Sequence, residues 1–188
     1  MIAAKINVSS DLEKRFRKAA MSRFGYNQSA ISKSIEKACI RWLLEEEQIN
    51  TAISELKEAV SKDKNVLALI LFGSYSRNDP SFRDIDVGIL LKTDPENQFE
   101  EENKFASVLE DYDVKFDVNV INKFSYAVLK RIFSEGKILY CADETKLQEY
   151  IDDILLEEEE MKARLSALEH KQGKDKRHYK SAIRKTHN

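Results

Sequence analysis

The chain has 188 residues, of which 42% are hydrophobic and 34% are charged, and its formal net charge is −2. This length and hydrophobic content suffice for one medium domain or two small ones with real cores. The charge is uneven, because residues 1–44 and 171–188 are basic whereas residues 45–170 are strongly acidic. No apolar run is long enough to span a membrane and no signal peptide is recognisable, so we expect a cytoplasmic protein with no membrane partner.

The first 44 residues predict one strand and two amphipathic helices. Residues 2–8 alternate apolar and polar side chains, which is typical of a half-buried strand. Polar residues at 9–11 can cap a helix over about 11–23 that buries Leu12, and a second helix from about residue 29 carries an apolar stripe. So short a segment cannot bury these faces alone, and its single strand leaves backbone groups unpaired. Pairing with a second copy of the chain would solve both problems.

The order and spacing of these three elements resemble the ribbon-helix-helix family of DNA-binding domains. The resemblance implies that strands from two chains enter the DNA major groove, where Lys5 and Asn7 would contact base edges. It also implies that the start of the second helix holds a DNA phosphate, near Asn27, Gln28 and Ser29. The alternative is that this segment only dimerises the chain, and Lys5 and Asn7 are then ordinary solvent-facing residues.

The central part of the sequence alternates helices with apolar strands. A polar junction at Glu45–Gln48 separates it from the first segment. Helices are predicted over about 51–62, 96–111 and 124–134. Strands are predicted over about 65–72, 84–91, 114–121 and 137–141. Another helical pattern runs from about 144 to 171 and leads into a basic tail.

A small-residue turn follows the first of these strands. Gly73 allows a ligand to approach the backbone closely, and backbone N–H groups at such a turn can hold phosphate oxygens. Ser74 adds a hydroxyl, and Arg77 is placed to bind a phosphate with two parallel hydrogen bonds. The turn is therefore a candidate phosphate-binding site.

Two aspartates follow this turn. Asp84 and Asp86 are two residues apart in a predicted strand, so their side chains share one face. Carboxylates this close repel each other unless a cation lies between them, and carboxylates together with substrate phosphates suit Mg²⁺. Asp117 lies within the strand predicted over 114–121. If that strand lies beside the strand of Asp86, Asp117 completes a metal site of three carboxylates.

Five residues, in this order and spacing, resemble the minimal nucleotidyltransferases of the polymerase-β-like superfamily: Gly73, Ser74, Asp84, Asp86 and Asp117. The resemblance covers about residues 50–142. It implies that the three aspartates bind two Mg²⁺ ions, that the Gly-Ser turn cradles the triphosphate of ATP or another NTP, and that Asp117 is also a candidate general base. Arg77 matches an arginine often seen after the Gly-Ser turn.

Two features depart from that family pattern. Asn78 stands where the family commonly has glycine, and asparagine tolerates the left-handed backbone of such a turn. The loop between Ser74 and Asp84 is one residue shorter than is common. Neither departure removes a predicted metal ligand.

The predicted fold class is α/β (α+β), with a small mixed sheet and flanking helices in the nucleotidyltransferase domain. The predicted domains are a ribbon-helix-helix module over 1–46, a nucleotidyltransferase domain over 50–142, and a C-terminal helix and basic tail over 143–188. Domains of both families often serve as antitoxins, so the resemblances imply a toxin-like protein partner, DNA, and a homodimer or higher even oligomer.

The main functional hypothesis is a Mg²⁺-dependent nucleotidyltransferase tethered to a DNA-binding module, acting as an antitoxin or regulator. Two alternatives stay open. The first is a non-enzymatic transcriptional regulator whose central domain only senses nucleotide. The second is a nucleotidyltransferase for a small molecule or RNA whose N-terminal segment merely dimerises it. The sequence identifies neither the acceptor nor the preferred nucleotide.

Overall fold

A computed structural model describes residues 7–27, 29–157, 159–160 and 163–164. These residues divide into two compact units, with the boundary between Thr51 and Ala52. The strand predicted over 2–8 lies outside the described residues apart from Asn7 and Val8, which have no regular secondary structure. Lys5, Gln28 and the basic tail also lie outside them.

The elements are named here in chain order. The helices are α1 Ser10–Phe24, α2 Ser29–Lys62, α3 Gly73–Ser76, α4 Gln98–Ala106, α5 Tyr126–Glu135 and α6, which spans 144–157. The strands are β1 Val66–Phe72, β2 Ile85–Leu91, β3 Phe116–Val120 and β4 Lys137–Cys141. No helix among the described residues combines the length and apolar character needed to cross a membrane.

In the first unit, α1 begins and ends close to the predicted residues. The Ser9 hydroxyl oxygen accepts the N–H of Leu12 at 3.4 Å, and Gly25 ends the helix with φ at 86°. Ala20 is buried. The prediction that Leu12 is buried is wrong, because Leu12 lines an open groove between α1 and α2 and is 51% exposed.

α2 continues through the polar stretch Glu45–Gln48, where the sequence predicted a junction. That prediction is wrong because glutamate and glutamine are strong helix formers, and nothing in the stretch breaks a helix. Thr51 also keeps its helical place, since its hydroxyl donates to the Glu47 carbonyl at 2.8 Å. The boundary between the two units therefore falls inside α2.

The second unit is built on a mixed sheet of four strands in the order β3-β2-β1-β4. β1 is antiparallel to both β2 and β4, whereas β2 and β3 are parallel. Six of the seven residues of β1 are buried, as its continuous apolar run predicts for a central strand. The predicted small mixed sheet with flanking helices is confirmed.

α5 and α6 pack against β1 and β2 through one hydrophobic cluster. Its buried members include Ala68, Ile70, Leu90, Leu129, Ile132, Leu147 and Ile154. This cluster fixes α5 beside the end of β1, where α3 begins. Strand and helix bounds mostly differ from the predicted ones by one or two residues. Besides the continuous α2, α4 is an exception, because it ends at Ala106 and a single 3-10 turn, Ser107–Leu109, follows it.

Candidate active site

Strand pairing brings two of the predicted catalytic aspartates together. β2 and β3 are parallel neighbours, and Asp86 lies directly opposite Asp117 in their register. Residues opposite each other on adjacent strands project from the same face of a sheet, so the two carboxylates are neighbours. The sequence predicted Asp84 within this strand, but the structure places it immediately before β2. β3 therefore lies beside β2, which is the arrangement that a metal site containing Asp117 requires.

The three carboxylates influence one another electrostatically. Burial raises the pKa of Asp86, and the negative charges of Asp84 and Asp117 raise it further, whereas the charge of Arg77 acts in the opposite direction. Lys115 offsets part of the negative charge, because its Nζ lies 3.6 Å from a carboxylate oxygen of Asp84. Adjacent like charges at this edge of the sheet are unfavourable, which is the situation that a bound cation relieves.

The donor set fits a divalent cation in kind, because Mg²⁺ prefers oxygen ligands and often binds through carboxylates. The side chains as oriented do not yet converge. Within the described ranges, no group of three or more His, Cys, Asp or Glu side chains is arranged so that it could hold a metal ion. As oriented, the Asp84 carboxylate pairs with Lys115. The strand register therefore suits the predicted metal site, while the metal assignment stays a prediction.

Gly73 lies against the carboxylate of Asp86. Phe72, the last residue of β1, pairs with Asp86 in the antiparallel register, so the next residue reaches the same edge. Gly73 has φ at 74°, which is left-handed backbone that favours glycine. A Cβ atom at this position would lie 1.7 Å from Oδ2 of Asp86. Only glycine fits here while Asp86 keeps its place.

The predicted turn is a single helical turn, α3. The loop that follows it is stabilised by hydrogen bonds between residues of the turn and the loop. The N–H of Asn78 donates to the Tyr75 carbonyl at 2.9 Å, and the N–H of Asp79 donates to the Ser74 carbonyl at 3.0 Å. The Asp79 carboxylate in turn accepts the N–H and the hydroxyl of Ser81. Asn78 has φ at 58°, the left-handed backbone that asparagine tolerates. The shorter loop thus keeps a defined turn after Ser74.

A pocket of about 520 Å³ opens beside this turn, within the size range of small-molecule sites. From the turn and β2 it is lined by Phe72, Gly73, Ser74, Arg77 and Asp86, and from α5 by Ala127, Val128, Arg131, Ile132 and Glu135. The three predicted nucleotide-binding residues and one predicted metal ligand therefore face one cavity.

The sequence did not predict Arg131 and Glu135 as part of the site. Their only sequence signal is the four-residue spacing of opposite charges, which occurs on many exposed helix surfaces. Their position beside Arg77 depends on how α5 packs on the sheet. Arg77 donates through Nη1 to Oε2 of Glu135 at 3.1 Å, and Nε of Arg131 lies 3.3 Å from the same oxygen.

The predicted DNA-binding residues that the structure describes are Asn7, Asn27 and Ser29. Asn7 is exposed and lines the groove of the first unit. Asn27 joins α1 to α2, because its amide nitrogen donates to the Phe24 carbonyl at 3.1 Å and its Oδ1 accepts the Ser29 hydroxyl at 2.7 Å. The first turn of α2 contains no acidic residue.

Comparison with known proteins finds similarity in the second unit. Residues 54–145 match the family described as "Polymerase beta, Nucleotidyltransferase". No curated relative matches the chain.

Several solved structures are similar to part of this chain at low sequence identity. One is a toxin–antitoxin complex with AMP-PNP, which is 21% identical over 65% of this chain and 94% of that chain, with a TM-score of 0.47. Another is a Shewanella oneidensis tri-AMPylated HEPN toxin in complex with an MNT antitoxin, which is 21% identical over 67% of this chain and 93% of that chain, with a TM-score of 0.44. Residues 54–145 of this chain form a nucleotidyltransferase domain of the polymerase β type.

Proposed function

We propose that this chain transfers a nucleotide from an NTP, with ATP the first candidate, to an acceptor in a Mg²⁺-dependent reaction. One observation carries the proposal: the Asp86 carboxylate lies against Gly73, in the pocket that Ser74 and Arg77 also line. A phosphate-binding turn and a carboxylate able to bind a cation therefore share one cavity. Asp117 lies opposite Asp86 and extends the carboxylate cluster.

Each predicted residue takes a defined role in this proposal. Gly73 and Ser74 would hold phosphate oxygens, and Arg77 would pair with a phosphate through its guanidinium. Asp84, Asp86 and Asp117 would hold two Mg²⁺ ions, which supply Lewis-acid stabilisation of phosphoryl oxygens and favour ionisation of the attacking hydroxyl. Asp117 would also accept the proton of that hydroxyl as general base. Gly73 leaves room for Asp86 and for close approach of the triphosphate.

Calorimetric titration of ATP in the presence and absence of Mg²⁺ tests this proposal. The wild type should bind ATP in a Mg²⁺-dependent way, and the Asp84→Asn/Asp86→Asn double variant should lose that dependence. Asp113→Asn is a matched control, because Asp113 is an exposed aspartate just before β3 and does not line the pocket. Titration with the other three NTPs identifies the preferred nucleotide. The proposal of a Mg²⁺-dependent nucleotidyltransferase is wrong if the wild type shows no Mg²⁺-dependent binding of any NTP.

We infer a protein acceptor, because minimal nucleotidyltransferases often act as antitoxins that modify a partner. The candidate is a small helical, toxin-like protein encoded by a neighbouring gene. Incubating both proteins with NTP labelled at the α-phosphate should transfer label to this partner. Binding without any transfer would favour the alternative of a regulator that only senses nucleotide, and transfer to RNA or a small molecule would favour the other alternative.

We also propose that the first unit pairs with a second copy of the chain. Its groove is lined mainly by apolar side chains, namely Val8, Leu12, Phe16, Ile31, Ile35, Ala38 and Cys39. Further along α2, four large apolar residues are each more than half exposed: Ile40, Trp42, Leu43 and Leu44. Asn7 and Val8, the last two residues of the predicted strand over 2–8, line this groove. Light scattering should therefore give the mass of a dimer or higher even oligomer.

The basic charge of the first segment favours DNA as a further partner of that dimer. In this proposal Lys5 and Asn7 contact bases, while Asn27, Gln28 and Ser29 lie near a phosphate. A mobility-shift assay on DNA upstream of the chain's own gene is the test, with Lys5→Ala/Asn7→Ala as the variant. Unchanged specific affinity in that variant would contradict the base-reading role, and a dimer without DNA affinity would leave dimerisation as the segment's function.

A further inference from the structure

The pocket beside α3 contains a second arginine that no sequence motif singles out. Among the described residues that line this pocket, the cations are Arg77 and Arg131. They come from different elements, Arg77 from the end of α3 and Arg131 from α5. Glu135 joins them, because its Oε2 accepts from both guanidinium groups, at 3.1 Å and 3.3 Å. The two arginines are thus held side by side at the pocket wall.

This arrangement differs from an ordinary charge pair on a helix surface. Arg164 and Glu160 also form an i,i+4 pair, at 3.1 Å, but neither lines the pocket. Glu135 binds Arg131 at the same spacing and additionally binds Arg77, which is 58 residues away in sequence. A guanidinium has five N–H donors, so one shared carboxylate oxygen leaves each arginine with donors for another anion. The three side chains together carry one net positive charge.

A triphosphate in this pocket needs more positive charge than Arg77 and Glu135 supply together, because that ion pair is neutral. On the side of Asp86, the three carboxylates would offset most of the charge of the two proposed Mg²⁺ ions, so that side alone does not neutralise a triphosphate. Glu135 offsets the charge of one arginine, which leaves the second guanidinium to attract phosphate. Arginine suits this task because its planar fork matches phosphate oxygens in two parallel hydrogen bonds.

We propose that Arg131 is a second phosphate-binding residue, which contacts the triphosphate of the incoming nucleotide together with Arg77. This inference rests on the proposed function and assigns a residue of α5 to that site. Glu135 keeps the two guanidinium groups adjacent until the nucleotide arrives. Ala127, Val128 and Ile132 form the apolar part of the same wall.

Two probes separate phosphate binding from other roles: Mg²⁺ with an ATP analogue that has a methylene group between the α- and β-phosphates, and Mg²⁺ with inorganic triphosphate. The first cannot undergo nucleotidyl transfer, and the second has no base or sugar. Calorimetry on the full chain should show that Arg131→Ala weakens the binding of each probe by about tenfold or more. The factor should be similar for the two probes. Arg131→Gln, which keeps helix propensity and a hydrogen-bonding partner for Glu135, should show the same loss. Arg131→Lys should show a smaller one.

Arg164→Ala is the matched control, since it removes the arginine of an i,i+4 pair outside the pocket, and it should bind both probes like the wild type. Wild-type affinity for both probes in Arg131→Ala or Arg131→Gln would overturn the inference. So would a loss confined to the ATP analogue, because phosphate contacts would then be intact. If the wild type binds neither probe, the proposed function fails. If the wild type and the Arg131 variants bind both probes equally well, only the role of Arg131 fails.

Discussion

The carboxylate of Asp86 occupies the space that a side chain at Gly73 would need. A Cβ atom built on Gly73 would lie 1.7 Å from Oδ2 and 2.6 Å from Cγ of Asp86. The contact joins the end of β1 to the start of β2, which pair directly through Phe72 and Asp86. Backbone geometry at the phosphate-binding turn and the position of a candidate metal ligand therefore depend on each other.

Gly73→Ala should consequently lower both the stability of the chain and its affinity for nucleotide. Left-handed backbone at an alanine costs about 1–3 kcal/mol, and the new methyl group must displace Asp86. We expect Mg²⁺-dependent ATP affinity to fall by about tenfold or more, because a displaced Asp86 carboxylate is a poorer ligand for the cation. Urea denaturation and calorimetry measure the two effects separately.

Gly25→Ala controls for the backbone strain of that substitution. Gly25 also has positive φ, at 86°, but a Cβ there would lie 3.4 Å from the Asn27 side chain, an ordinary contact. This variant should lose stability in the first unit and keep the wild-type affinity for ATP. If Gly73→Ala binds ATP as tightly as the wild type does, ATP binding does not require the Asp86 carboxylate to lie against residue 73.

Asp117→Asn should reduce nucleotidyl transfer by at least about 100-fold, because the cluster loses a carboxylate ligand and the candidate general base. The free energy of unfolding should not fall, since the substitution removes one of the charges that raise the pKa of Asp86. Asp113→Asn, four residues earlier and exposed, should leave transfer unchanged. Rates of label transfer and thermal melting provide the measurements, and full transfer activity in Asp117→Asn would contradict the role of Asp117.

The local parts of this site could be predicted from sequence because they depend on short-range geometry. The expectation that Asp84 and Asp86 share one face comes from the alternation of any strand, although Asp84 lies just before β2. The left-handed turn at Asn78 follows from what asparagine tolerates. By contrast, the pairing of Asp117 with Asp86 depends on β3 lying beside β2, and strand order is set by packing between distant parts of the chain.

Long-range packing also explains what the sequence did not reveal. Arg131 and Glu135 belong to the pocket because the buried face of α5, which includes Leu129 and Ile132, orients that helix on the sheet. The mistaken junction at Glu45–Gln48 has a different cause. A polar composition was interpreted as a break, although those residues favour a helix as strongly as the apolar residues around them.

Leu12→Lys should weaken self-association of the chain. Leu12 is 51% exposed in the groove of the first unit, and a second copy would bury it. Burying the exposed half of this leucine contributes about 0.8–1.5 kcal/mol, a lysine in its place brings a charge that is costly to bury, and a two-fold symmetric interface undergoes both effects twice. The dimer dissociation constant should rise at least about 100-fold, as measured by light scattering over a dilution series.

Phe99→Lys is the control for that experiment. Phe99 lies in α4 of the second unit and is 69% exposed, so the substitution removes an equally accessible apolar side chain outside the groove. It should leave the oligomeric mass unchanged. A Leu12→Lys variant that dimerises as tightly as the wild type would show that the groove of the first unit does not hold a second copy.

A pH-dependent contribution to stability comes from Asp63, which follows α2. Burial raises the pKa of Asp63, but hydrogen bonds from Lys104 and from the N–H of Asn65, with the charges of Lys104 and Lys92, more than offset this and lower it overall. A carboxylate whose pKa is lower in the folded state stabilises the fold above its unfolded pKa of about 3.9 and loses that effect as pH falls through the folded value. Asp63→Asn should therefore cost about 1 kcal/mol at pH 7.

The difference in unfolding free energy between wild type and Asp63→Asn should stay constant from about pH 5 to about pH 9 and shrink below about pH 4. The upper limit follows from Lys104, whose pKa is raised chiefly by its hydrogen bond to Asp63, so its charge persists throughout this window. Glu58→Gln is the control, because Glu58 pairs with Lys62 on an exposed helix surface where solvent screens the charges. Urea denaturation at a series of pH values measures the difference. If the loss of unfolding free energy in Asp63→Asn is equally large at pH 3, the contribution of residue 63 comes from its shape and packing. Its negative charge would then not be what stabilises the contact between the end of α2 and α4.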